Sequence, residues 1–311
     1  MSSTAAMPTP IGNLFAVPLA CPQCKGELAL SAGDLSCKTC AMEFSREEGF
    51  WNFIIGGTFE DELPESQKEY ESNANADTVT NYWLPLFRRL WPDRDRLVNI
   101  LSVGCGVGMD VELLCQEGFN CVGIDCGHRN TLWEKLDRRD NLLLANGKFL
   151  PFEDGIFDAV FCGCVFPHVG VEGDTNIVAK DHFEQRSTLA AEMARVLRPG
   201  GKVVVSSPNR WFPADLFHGR TEGKFKPRLN LPTSRFLLSP GDYAELFGNA
   251  GCKRMQALPV RGYWGFIRSR NSIKGRLLGL PVKLLFRLAD LPTLRRSPLN
   301  PWIVVMMEKA S

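Results

Sequence analysis

From about residue 81 the chain alternates short apolar runs with amphipathic stretches of helical period, a pattern that predicts strand–helix units. Residues 98–106 (VNILSVGCG) read as a strand entering a glycine loop, and residues 110–118 (DVELLCQEG) as a helix closed by Gly118. Residues 119–126 (FNCVGIDC) form a second strand in this reading, and residues 157–165 (FDAVFCGCV) another, after LPFEDG. Residues 182–201 (HFEQRSTLAAEMARVLRPGG) predict a helix stopped by Pro-Gly-Gly, with the strand KVVVSSPN after it. In SPGDYAELFGNAG, Ser239 is the expected N-cap, with Pro240 at the first helical position. CKRMQALPVRGYWGF and PWIVVMMEK close the chain as two strands. Alternating strands and helices argue for an α/β doubly wound sheet covered on both faces.

The N-terminal part follows a different rule. Residues 1–17 read as a flexible tail, 18–56 as a small module, 57–80 as a polar linker and 81–311 as the α/β domain. Cys21, Cys24, Cys37 and Cys40 are spaced C-x2-C-x12-C-x2-C. Two such pairs, joined by the alternating hairpin GELALSAGDLSC, can surround one tetrahedral ion, so the expected occupant is structural Zn2+. The alternative is two disulfides, against which stand the paired spacing and the scatter of the other seven of eleven cysteines through apolar segments. Four cysteine ligands leave no position for a substrate water, and the metal would supply folding energy that so small a module lacks.

Composition narrows the remainder. The 311 residues are 44% hydrophobic and 23% charged, and the net charge of +1 provides no basic field for nucleic acid. No apolar run has membrane-spanning length, and the N-terminus lacks the basic and apolar regions of a signal peptide, so the expected location is cytoplasmic.

Gly104, Gly106 and Gly108 form G-x-G-x-G, which departs from the dinucleotide spacing G-x-G-x-x-G, and no G-K-S/T follows. Alone the triplet also suits a tight structural turn. Asp125 ends the second strand, where a carboxylate can accept ribose hydroxyls or cap the next helix. Together, ILSVGCGVG, VGID, LPFEDGIFDAVFC and RVLRPGGKVVVSSPN resemble, in order and spacing, the class I S-adenosylmethionine-dependent methyltransferases, of the type 11 domain kind. The resemblance implies a Rossmann-like seven-stranded sheet of order 3-2-1-4-5-7-6 with its last strand antiparallel. It implies S-adenosylmethionine as cofactor, with Gly104, Cys105 and Gly106 under its methionine part, Gly108 completing the loop and Asp125 on the ribose. Asn146 takes the position of an Asp beside the adenine amino group, and Gly147 and Cys162 are further candidate cofactor contacts. Ser102 replaces the usual acid two residues before the first glycine, so weaker cofactor binding or compensation elsewhere is expected. The cysteine segment resembles zinc ribbons found before, or bound to, some methyltransferases.

The acceptor is expected at the C-terminal ends of the fourth and fifth strands. His168, just past the fourth, is a candidate general base, with packing or helix capping as the alternative. Asn209, Arg210, Trp211 and His218 form a polar-aromatic cluster on the long connection after the fifth. Residues 265–300 hold Arg268, Arg270, Lys274, Arg276, Lys283, Arg287, Arg295 and Arg296 against one acid, Asp290, with leucines at helical spacing. Such a stretch can lie on an anionic membrane, cover an amphiphilic substrate or pack as a lid. The favoured reading is a methyltransferase acting on a small-molecule or lipid-like acceptor. An RNA (rRNA or tRNA base) methyltransferase is the rival, opposed by the net charge and by the lack of an N-P-P-Y-like tetrad after strand four. A non-catalytic scaffold that binds a partner through the zinc module is the third reading.

Overall fold

The computed structural model describes residues 15–31, 33–57, 65–172, 176–215, 220–221, 224–225, 228–231, 233–263 and 284–311. The expected hairpin is present: β1 (Leu28–Ser31) pairs antiparallel with β2 (Asp34–Cys37), and β2 with the short β3 (Glu43–Phe44). β4 (Arg46–Glu47) and β5 (Phe50–Trp51) form a second small ribbon. The end of the expected tail is packed rather than loose, with Val17 buried and the Phe15 ring 6.0 Å from that of Trp51; residues 1–14 lie outside the described residues.

The stretch expected as a linker contains a helix. Helix α1 (Glu65–Thr78) occupies most of it, passes through a π turn at Val79–Trp83 and continues as α2 (Leu84–Leu90). α1 is polar along most of its length, so its composition read as a linker, yet Ala74, Thr78 and Val79 are buried. Tertiary packing of that narrow stripe outweighs the weak local signal.

The α/β domain follows as β6 (Asn99–Val103), α3 (Met109–Gln116), β7 (Asn120–Asp125), β8 (Leu142–Leu144), β9 (Phe157–Gly163), α4 (His182–Val196), β10 (Leu197–Pro208), α5 (Pro240–Asn249), β11 (Cys252–Ala257) and β12 (Trp302–Lys309). The strands lie in the order β8-β7-β6-β9-β10-β12-β11, which is 3-2-1-4-5-7-6 when counted along the chain. The five strands from β8 to β10 are mutually parallel, and β12 runs antiparallel to both β10 and β11. Alternation along each strand feeds two cores. Leu101, Val103, Val122, Ile124, Val160, Val203 and Val205 pack with α4, α5 and the cysteine module. Ile100, Cys121, Ala159, Phe161 and Val204 pack on the other face with α2, α3 and the π turn.

Local signals set several boundaries. Ser239 and Asp242 form a reciprocal capping box at the start of α5, with Pro240 in the first turn. α4 ends at Val196, and Arg-Pro-Gly-Gly lies within the first part of β10, at a register shift between Leu197 and Lys202. β11 stops at Ala257 instead of reaching residue 266, because Pro259 lacks a ladder donor and Val260–Tyr263 turns. β8 has no sequence reading behind it, since Leu142, Leu143 and Leu144 are all buried and show no alternation.

Of the basic insertion, residues 284–300 are described, and its remaining positions, Arg268, Arg270, Lys274, Arg276 and Lys283 among them, lie outside the described residues. Residues 284–289 are helical, with Phe286 and Ala289 turned inward and Leu284 and Leu288 exposed. Among the described residues no helix is long and apolar enough to cross a membrane.

Candidate active site

The glycine loop joins the ends of β6 and β7. Gly104 and Cys105 N–H both donate to the Ile124 carbonyl, at 2.9 and 3.0 Å. The Asp125 carboxylate accepts Gly106 N–H at 2.8 Å and Gly127 N–H at 2.9 Å. Trp133 Nε1–H donates to the Gly106 carbonyl at 2.8 Å, closing the loop from the far side. Gly104 has φ 73°, and a Cβ there would run into the Val165 side chain. Gly108, with φ 78°, is the N-cap of α3. The structure thus brings Gly104, Cys105, Gly106, Gly108 and Asp125 to one crevice at the C-terminal ends of parallel strands, where α/β sheets bind ligands.

Asn146 and Gly147 follow β8 on the same edge. Asn146 Oδ1 accepts Lys148 N–H at 3.0 Å, and its Nδ2 donates to the Ile55 carbonyl at 3.3 Å. A Cβ at Gly147 would press on Leu189 and Val103. Cys162 lies opposite Val103, the residue before Gly104, in the pairing of β6 with β9. It is buried among the sheet residues that face α4 and α5, and burial pushes its thiol up to about 12.

The missing acid at position 102 has a neighbour that sequence reading passed over. Ser102 Oγ donates to Asp110 Oδ2, and Asp110 Oδ1 accepts Val111 N–H at 2.9 Å. Both side chains are buried. Burial pushes the Asp110 carboxyl up to about 6, against the lowering effect of the Ser102 hydroxyl and the Val111 amide. A carboxylate is therefore present beneath the loop, delivered by the first turn of α3 instead of the end of β6.

His168 lies in a 3-10 turn (Phe166–His168), half-buried, with its ring edge-on to Phe236 at 5.8 Å. Buried Arg186 on α4 braces this turn. Its guanidinium donates to the carbonyls of Val169, Pro167, Arg235 and Phe236 at 2.8–3.4 Å. Burial pulls its pKa down to about 10, so it stays charged at neutral pH. A legible signal existed for it: Arg186, Leu189, Ala190, Met193 and Ala194 share one helical stripe that is otherwise apolar, and all are buried. Beside the turn, Ser206 and Tyr263 hydroxyls meet at 2.6 Å, and Cys164, with φ 58°, donates its N–H to the Ser206 carbonyl.

The three described members of the cluster after β10 have different partners. Asn209 spends its amide on the Ser297 and Asn300 carbonyls, at 3.1 and 2.8 Å, and its Oδ1 on Trp211 N–H. It is fully buried and ties two loops together. Arg210 pairs with Asp242 at 3.1 Å, and Trp211 is exposed. His218 lies outside the described residues.

At the other end of the chain the four cysteines converge. Their sulfurs all lie within 4.8 Å of one another, with Cys21–Cys40 at 3.6 Å and Cys24–Cys37 at 3.4 Å. A tetrahedral ion with Zn–S bonds of about 2.3 Å needs S···S edges of about 3.8 Å, so the donor set fits zinc. The two turns repeat one design. Lys25 N–H donates to the Cys21 carbonyl and Ala41 N–H to that of Cys37, and Lys25 and Ala41 have φ 61° and 57°. Thr39 N–H points at Cys37 Sγ, at 3.4 Å. Among the described residues this is the one cluster of such ligands.

Comparison with known proteins agrees with this geometry. A family profile described as a methyltransferase domain matches residues 101–205. The chain is 29% identical over 128 residues to 2-methyl-6-phytyl-1,4-hydroquinone methyltransferase of Synechocystis, covering 39% of this chain and 36% of that protein. It is 28% identical over 195 residues to a probable S-adenosylmethionine-dependent methyltransferase of Mycolicibacterium smegmatis, covering 57% and 67%. To a ubiquinone biosynthesis O-methyltransferase of Aromatoleum aromaticum it is 31% identical over 136 residues, covering 41% and 52%. The chain therefore spans from about a third to two thirds of these relatives' lengths. A solved S-adenosylmethionine-dependent methyltransferase of Aquifex aeolicus is similar with TM-score 0.45 and 12% identity, over 79% of this chain and 99% of that one. The matched profile and these relatives share the description of methyltransferase.

Proposed function

We propose that this protein is an S-adenosylmethionine-dependent methyltransferase that acts on a small-molecule or lipid-like acceptor and holds a structural Zn2+ at Cys21, Cys24, Cys37 and Cys40. The observation that carries the reading is the Asp125 carboxylate bonded to Gly106 N–H beneath a glycine loop at the sheet's C-terminal edge. S-adenosylmethionine supplies, when bound, a methyl group on a sulfonium. The chain's own part is to bind and align. Gly104, Cys105 and Gly106 offer close backbone approach, Asp125 offers acceptors for the ribose, and Asn146 offers an amide to the adenine. His168, braced by Arg186, is the residue assigned to take a proton from the acceptor.

Support for a lipid-like acceptor comes from the insertion. Leu284, Leu288 and Leu291 are exposed, and Arg287 and Arg296 are exposed beside them. By their names, one of these relatives methylates a phytyl hydroquinone and another is an O-methyltransferase of ubiquinone biosynthesis.

Calorimetric titration with S-adenosylhomocysteine, with NAD as control, tests the reading. Micromolar binding to the wild type, none to NAD, and loss of at least about tenfold in Asp125→Ala are expected. Wild-type protein that ignores S-adenosylhomocysteine would sink the enzyme reading and favour a scaffold. Salt-dependent RNA binding together with methylation of RNA would favour the rival acceptor.

A further inference from the structure

The cysteine module does not stand off from the sheet. Phe53 N–H donates to the Leu144 carbonyl at 2.7 Å, and Asn52 bridges Leu144 in parallel, so the strand leaving the module extends the sheet beyond β8. One step inward, Ala145 N–H donates to the Asp125 carbonyl at 2.9 Å. A hydrogen-bonded path thus runs from the module to the residue assigned to the ribose. The next carbonyl out, that of Ile55, accepts from Asn146 Nδ2. Glu48 Oε2 accepts from Asn130 Nδ2 at 2.7 Å, in the 3-10 helix that follows β7.

The first cysteine turn grips the loop after β8 from its other end. Lys25, between Cys24 and Gly26, sends its ammonium to the Leu150 carbonyl at 3.3 Å and to Glu192 Oε2 at 2.7 Å. That same carboxylate oxygen accepts Leu150 N–H at 2.8 Å. Burial pushes Glu192 up, but hydrogen bonds from Arg195 and Lys25 outweigh it and hold the carboxyl below its ordinary range. Ala20 N–H adds a bond to the Pro151 carbonyl at 3.1 Å. The segment 145–151, which carries Asn146 and Gly147, is therefore clamped at both ends by the module.

We infer that the metal-loaded cysteine module forms a wall of the cofactor site, with Lys25 as a positioning residue that holds the 145–151 segment through Glu192 and the Leu150 carbonyl. The inference rests on the cofactor reading above. It joins two features that a sequence presents as separate: metal occupancy folds the turn that carries Lys25, and Lys25 holds the segment that meets the adenine end.

The test uses the full chain and S-adenosylhomocysteine as probe. Affinity is measured by calorimetry on zinc-loaded wild type, chelator-depleted wild type, Lys25→Met and Lys25→Arg, with zinc content and far-ultraviolet circular dichroism recorded for each. Lys25→Met is expected to keep its zinc and its secondary structure yet bind about tenfold more weakly, the scale of one lost charged hydrogen bond. Lys25→Arg is expected to recover most of that loss, and the depleted wild type to bind at least as weakly as Lys25→Met. Equal affinity in the loaded, depleted and Lys25→Met proteins would overturn the inference and leave the cofactor reading intact. Absence of binding by the loaded wild type would remove the cofactor reading itself, and this inference with it.

Discussion

At the scale of single residues, the buried pair Ser102 and Asp110 brings a carboxyl to the end of β6 from the first turn of α3. Asp110 is buried and its carboxyl sits at about 6, above the ordinary 3.8. A carboxyl raised in the folded state binds its proton more tightly there than in the unfolded chain. Its stabilising contribution is therefore full below the unfolded value and is lost as pH rises from about 4 through about 6. The rise corresponds to at most about 3 kcal/mol. Asp110→Asn keeps one oxygen to accept the Val111 amide, turns an NH2 donor toward the Ser102 hydroxyl oxygen in place of the second acceptor, and removes the buried charge. In urea denaturation the stability of the variant relative to wild type should fall by about 2 kcal/mol between pH 8 and pH 4.5; a difference that does not change with pH would contradict the argument. Gly104 is a second residue-scale case. At φ 73°, with Val165 against the Cβ position, Gly104→Ala should cost about 2–4 kcal/mol of stability or abolish S-adenosylhomocysteine binding, and unchanged values of both would refute the close-approach reading.

At the scale of elements, α4 links the two halves of the candidate site. Its buried stripe packs on the sheet, its Arg186 supports the His168 turn, and its Glu192 receives Lys25 from the cysteine module. Arg186 answers four backbone carbonyls with one guanidinium. Arg186→Met leaves those acceptors without their donor in a dry setting, and a loss of about 2–4 kcal/mol in denaturant unfolding is expected. A change under about 0.5 kcal/mol would mean that the turn holds itself. α1 and α5 make a useful contrast in legibility. Ser239, Pro240 and Asp242 wrote the start of α5 in local chemistry, and the capping box stands there. α1 had no such signature, and its helicity depends on what Ala74 and Thr78 bury against.

At the scale of the whole molecule, the seven-stranded sheet gathers the candidate site residues at one edge, while the cysteine module and the insertion pack on different parts of the domain. The insertion's one acid, Asp290, accepts Val260 and Arg261 N–H, so the described end of this segment is anchored to the turn before Tyr263. Its outer face is left apolar and basic. Vesicle sedimentation should find the protein on anionic but not zwitterionic lipid, more weakly at high salt and in Leu284→Ser with Leu288→Ser. Indifference to lipid charge would remove the membrane-surface reading of this segment.

The cysteine spacing, the glycine loop with Asp125, and the strand–helix alternation were determined by sequence alone, because each is written in residues close along the chain. Knuckle turns, a helix N-terminus and two-face alternation all arise over a few residues, and the structure places them where that local chemistry requires. Other features had no local trace. β8 is a strand only because β7 and the strand leaving the cysteine module flank it, and Leu142–Leu144 carries no period of its own. Asn209 looked like a substrate residue and became a tie between loops because its partners lie about 90 residues downstream. Asp110 meets Ser102, and Lys25 meets Glu192, only once helix and strand, or module and domain, are packed together. Pairings of that kind depend on burial and on hydrogen bonds between distant segments, and those exist only in the folded chain.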